Sequence, residues 1–128
     1  MSTEPPGDRP GPSDPDEQDR QRIRTELAAV LREARDALAG TERARAGLAA
    51  DCLLDAADAA DKATVADRLD AEAARSADRI RHASEALRRL DEGTYGSCEA
   101  CGKPIGRERL TALPLSRLCV DCSAGREA

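Results

Sequence analysis

The chain has 128 residues, 40% of them hydrophobic, with one tyrosine, no phenylalanine or tryptophan and a formal net charge of −5. Much of the apolar content is alanine, so a large globular core is excluded and the fold needs support from a metal or from long helix packing. A pI near 5.0 argues against wrapping nucleic acid through its phosphates, the scarcity of aromatics removes the stacking platforms of single-strand binders, and nothing approaches the roughly 20 apolar residues of a membrane span.

Residues 1–15 hold five of the seven prolines among glycines and charges, which predicts a disordered tail. From Asp16 the pattern changes. Leu27, Leu31, Ala34, Leu38, Thr41, Arg45, Leu48 and Cys52 follow one another in steps of four and three, a heptad seam weakened by Thr41 and Arg45. Gly40 and Gly47 each cost about 1 kcal/mol relative to alanine inside a helix, and a break near Gly40 is one reading of this arm. Cys52 is expected to pack on the seam.

A second seam runs through Ala66, Leu69, Ala73, Ser76, Ile80, Ala83, Leu87 and Leu90, and Gly93 supplies a C-terminal stop. His82 beside it reads as an ordinary helix-surface residue. Two apolar stripes on one chain must be buried, and an antiparallel hairpin does so most economically. Leu27 then falls level with Leu87 and Leu48 with Ala66, both pairings centred on residue 57, and the reversal is expected within residues 55–61. Arms of about 30 residues give a rod of roughly 45 Å. Local propensity argues the other way: the stretch DAADAAD has neither Gly nor Pro, and an uninterrupted helix in a dimeric coiled coil is the competing arrangement. Asp55, Asp58 and Asp61 cluster at this turn, where solubility and N-capping of the second arm are the plain explanation.

The last segment carries Cys98-x-x-Cys101 and Cys119-x-x-Cys122, separated by seventeen residues. Each pair is a tight knuckle presenting two thiolates, and the gap lets the second return against the first, as in a four-cysteine zinc site. Disulfides are not expected, since no apolar signal segment opens the sequence and a cytoplasmic setting keeps thiols reduced. A thioredoxin-like motif lacks its α/β context. Four thiolates close the coordination shell, so one structural Zn2+ without catalysis is expected, with Lys103, Arg107, Arg109 and Arg117 placed to offset the formal charge of the site. The expected organisation is a tail over 1–15, a mainly α coiled-coil hairpin over 16–92 with its tip near 55–61, a zinc finger over 93–122 and a C-terminal tail over 123–128.

Between the cysteine pairs stand Ile105, Arg109 and Pro114 at intervals of four, four and five from Cys101. Together with Cys98-Glu99-Ala100-Cys101 they closely resemble the zinc-finger signature of the DksA/TraR family, bacterial regulators that bind RNA polymerase rather than DNA. The resemblance covers residues 90–122. It implies a monomeric, non-enzymatic regulator whose helical rod enters the secondary channel of RNA polymerase and brings an Asp-x-x-Asp-x-Ala tip near the active site. That motif fits two registers here, Asp55, Asp58 and Ala60 or Asp58, Asp61 and Ala63, with Asp58 common to both. Family members that respond jointly with ppGpp carry basic residues where this chain has Leu113 and Ser123, so direct ppGpp recognition is not expected. Two other functions compete: a transcript-cleavage factor whose tip carboxylates help hold magnesium, and a structural or stress-related zinc protein without polymerase binding. A sequence-specific DNA binder ranks last, because the finger lacks a basic recognition helix.

Overall fold

The computed structural model describes residues 16–50 and 56–127. The tail over 1–15, Cys52 and Asp55 therefore lie outside the described residues. Among the described residues four helices follow one another: α1 (Glu17–Ala50), α2 (Ala56–Glu92), α3 (Arg107–Ala112) and α4 (Val120–Glu127). Among the described residues there is no strand; an isolated antiparallel bridge joins Ser97 to Pro104. Residues 123–127, assigned above to a tail, belong to α4.

α1 opens at Glu17. The Asp19 backbone N–H donates to Asp16 Oδ1 at 2.7 Å, an N-cap that satisfies one of the orphan donors of the first turn. The helix then runs 34 residues without interruption, so no break occurs at Gly40. The alanines, leucines and arginines around both glycines outweigh their cost.

The chain divides into two compact units. Among the described residues of the unit Ala29–Ala83, the buried ones are Ala34, Thr41, Leu69, Ala73 and Ala83, every one a seam position. Leu31, Leu38, Leu48, Ala66, Ser76 and Ile80 are half-buried beside them. Arg45, which interrupts the first seam, escapes burial: its side chain is 41% exposed and reaches Asp70 across the pair of helices at 2.9 Å. That contact straddles the midpoint between residues 57 and 58, next to the centre at residue 57 that the paired seams require. One chain thus packs α1 against α2 in antiparallel fashion, which replaces the dimeric coiled coil as the burial of both stripes. The symmetry of the seams puts the reversal within residues 55–61. Residues 56–61 already belong to α2, because two Ala-Ala steps and Asp58 in the first turn favour helix over loop.

The second unit is formed by described residues of Met1–Ala28 and Ser84–Ala128. Its core is Leu27, Ala86, Leu90 and Tyr95, covered by Ile23, Leu87, Leu110 and Leu115. Leu27 and Leu90 are the largest fully buried side chains, each stabilising by about 1.5–3 kcal/mol. Arg20 Nη2 donates to the Leu90 carbonyl at 2.9 Å, and Arg24 pairs with Asp91, so the start of α1 lies beside the end of α2. α2 ends in a Schellman motif. Gly93, at φ 82, turns the chain, Thr94 N–H donates to the Arg89 carbonyl at 2.9 Å, and Gly93 N–H to the Leu90 carbonyl at 3.3 Å.

Candidate metal centre

The Schellman turn delivers the chain into the first knuckle. Ile105 N–H donates to the Gly96 carbonyl and Cys98 N–H to the Lys103 carbonyl, both at 2.8 Å, around the Ser97–Pro104 bridge. Gly102 N–H closes the knuckle onto the Cys98 carbonyl at 2.9 Å, and Gly102 adopts φ 76, a conformation that glycine takes without the steric cost of a side chain. The second knuckle is built on a helix start. Cys119 precedes α4 and its carbonyl accepts Ser123 N–H at 2.9 Å, while Cys122 lies in the first turn.

These two local structures bring all four expected ligands together. The Sγ atoms of Cys98, Cys101, Cys119 and Cys122 lie within 4.8 Å of one another. Cys101 Sγ and Cys119 Sγ are 3.7 Å apart, which is about the edge of a tetrahedron with Zn–S bonds of about 2.3 Å and far beyond the roughly 2.05 Å of a disulfide. Backbone amides aim at the sulfurs as well. The Cys119 amide is the largest influence on Cys98; assisted by those of Cys101 and Ala100 and opposed by burial, it pulls that thiol down to about 6. Hydrogen bonding with the Cys119, Cys98 and Cys101 sulfurs pushes Cys122 up to about 12. Four sulfurs in contact cannot all ionise by themselves, and a divalent cation at their centre removes that conflict. The donor set fits one structural zinc ion, with Cys98, Cys101, Cys119 and Cys122 holding it and no position left for a reacting water.

The remaining signature residues brace the knuckles. Arg109 Nε donates to the Leu118 carbonyl at 3.1 Å and fixes the peptide immediately before Cys119. Ile105 is buried, and the Pro114 carbonyl accepts the Tyr95 hydroxyl at 2.8 Å. Cations expected to balance the thiolates have other partners: Arg107 reaches Asp19 at 3.3 Å, and Arg117 stands 3.9 Å from Glu99. Two contributors escape a reading by cysteine spacing. Arg89, 7% exposed on α2, donates to Glu99 at 2.8 Å, and Tyr95 joins core to finger; the position of the sole aromatic just after the Gly93 stop is the signal that points to the latter. At the other expected site, Asp58, Ala60 and Asp61 are exposed in the first turns of α2. Among the described residues no helix is long and apolar enough to cross a membrane.

A paired-helix fold joined to two thiolate knuckles defines a C4-type zinc-finger protein. Residues 93–128 match the family described as prokaryotic dksA/traR C4-type zinc finger. The structure of transcription factor DksA2 from Pseudomonas aeruginosa superimposes with a TM-score of 0.78 over 88% of this chain and 85% of that one, at 28% identity. The RNA polymerase-binding transcription factor DksA of Haemophilus influenzae is 47% identical over 36 residues, 28% of this chain and 25% of its own length. General stress protein 16O of Bacillus subtilis is 38% identical over 65 residues, 49% of this chain and 40% of its own length. The matched stretches thus span well under half of these curated relatives. Residues 93–128 thus carry a zinc finger of the prokaryotic dksA/traR C4 type, with the four-cysteine cluster inside it, and the fold over most of the chain is similar to that of DksA2.

Proposed function

We propose that this protein is a non-enzymatic transcription regulator that binds RNA polymerase directly, entering its secondary channel with the α1–α2 turn foremost. The observation that carries the reading is the likeness to transcription factor DksA2 over 88% of the chain, helices included, and not over the finger alone. Relatives matched over 36 and 43 residues are named as RNA polymerase-binding factors, which supports the same partner. The acidic start of α2 is the delivering element: Asp58 and Asp61 are exposed there, and with Asp55 and Ala60 they form the tip toward the catalytic centre. Zinc has no chemical step in this function; the knuckles fix shape.

The test is co-purification with polymerase, followed by transcription from purified components with Asp58→Asn. The substitution keeps the side chain's size and removes one charge from the first turn, at a helix cost of only about 0.3–1 kcal/mol. Binding is expected to persist while the effect on transcription is lost, and a fully active variant removes the tip from the mechanism. Neither Leu113, 52% exposed, nor Ser123 offers a cation to a polyphosphate, so the effect is expected to be the same with and without ppGpp. A second reading, a stress-related zinc protein without polymerase binding, is favoured by the longer match to general stress protein 16O. Failure to co-purify selects it.

A further inference from the structure

Glu99 lies between the first two cysteines and is fastened at three points. Its backbone N–H donates to the Arg117 carbonyl at 2.9 Å, Arg117 Nη1 stands 3.9 Å from its Oε2, and Arg89 Nη1 donates to its Oε1 at 2.8 Å. The Arg89 side chain is 9% exposed against 46% for Glu99. A guanidinium so far removed from water depends on the carboxylate that meets it, and the pair is short enough to be a charge-assisted hydrogen bond. The same residue acts through its backbone: the Arg89 carbonyl accepts the N–H groups of both Thr94, at 2.9 Å, and Tyr95, at 3.1 Å, where α2 ends and the finger begins. Arg24–Asp91, at the same end of α2, is by contrast an ordinary solvated pair, its side chains 45% and 58% exposed.

We propose that Arg89 is a positioning residue for the metal centre, holding the Cys98–Cys101 knuckle through Glu99 so that zinc retention is set from the last turn of α2. Partners that orient ligands from outside the coordination shell typically change metal affinity 10- to 100-fold when removed. The proposal concerns the metal centre and is independent of the polymerase reading.

The experiment follows zinc release from the full-length, zinc-loaded protein into excess chromogenic chelator for the wild type, E99Q, R89M, the double variant R89M/E99Q and R24A. Each single change at the pair is expected to speed release about tenfold, with the double no faster than the faster single and R24A at the wild-type rate. Wild-type release from both singles, multiplying effects in the double, or equal acceleration by R24A overturns the proposal. Should R89M fail to fold, E99Q, which alters a half-exposed side chain, decides the matter against R24A.

Discussion

Tyr95 is the one aromatic residue of the chain, 4% exposed, with its hydroxyl on the Pro114 carbonyl. Burial raises its pKa from 10.0 to about 12, opposed by the nearby Arg89 charge. A group whose folded value is raised stabilises fully below its unfolded pKa and loses that contribution as pH climbs through the folded one. The loss, on the order of 2 kcal/mol, therefore falls between pH 10 and pH 12. With no tryptophan to interfere, phenolate absorbance reads this residue alone. The native protein is expected to titrate near 12 and the urea-denatured chain near 10; a native midpoint near 10 places the hydroxyl in water. The cysteines of the adjoining site were legible in the sequence because ligand spacing within a knuckle is local. The ion pair of Arg89 with Glu99 and the bond from Tyr95 to Pro114 were not, since both join a helix end to a turn whose path no periodicity encodes.

The same contrast holds for the elements. Alternating steps of four and three gave both seams, and their symmetry gave the antiparallel register, because the stripe a helix buries follows directly from its period. What the pattern does not supply is the strength of local propensity against it. Helix α1 passes through Gly40 and Gly47, and α2 begins at Ala56, earlier than the seam symmetry alone places it. Two glycines separate these influences. A Cβ at Gly47 meets nothing within 4 Å and the position is helical, so Gly47→Ala is expected to stabilise by about 1 kcal/mol. A Cβ at Gly93 also meets nothing within 4 Å, yet φ 82 strains any L side chain, so Gly93→Ala is expected to destabilise by about 1 kcal/mol. Urea denaturation of the two variants checks the opposite signs; a loss from Gly47→Ala contradicts a continuous α1.

At the scale of the molecule, the two units rest on different physics. The unit Ala29–Ala83 buries mainly alanines with Leu69 and Thr41 and adds an exposed ion pair, a thin core held by helix propensity and seam packing. The other unit has a compact cluster of Leu27, Ala86, Leu90 and Tyr95, and its finger has turns and short helices whose four thiols need a cation to lie together. In zinc-finger peptides the metal contributes roughly 10–16 kcal/mol to folding, far more than this finger's few buried side chains supply. Chelation is therefore expected to act selectively. Amide hydrogen exchange should accelerate strongly at Cys98, Glu99, Gly102 and Ile105, whose N–H groups bond within and between the knuckles, and change little within α1 and α2 over residues 29–50 and 58–83. Cys119→Ser should reproduce the pattern without chelator, because three thiolates leave the shell open. Far-ultraviolet circular dichroism should retain most of its helical signal in both cases. Equal acceleration in both units would instead make metal, finger and paired helices a single cooperative structure, in which zinc loss unfolds α1 and α2 along with the knuckles.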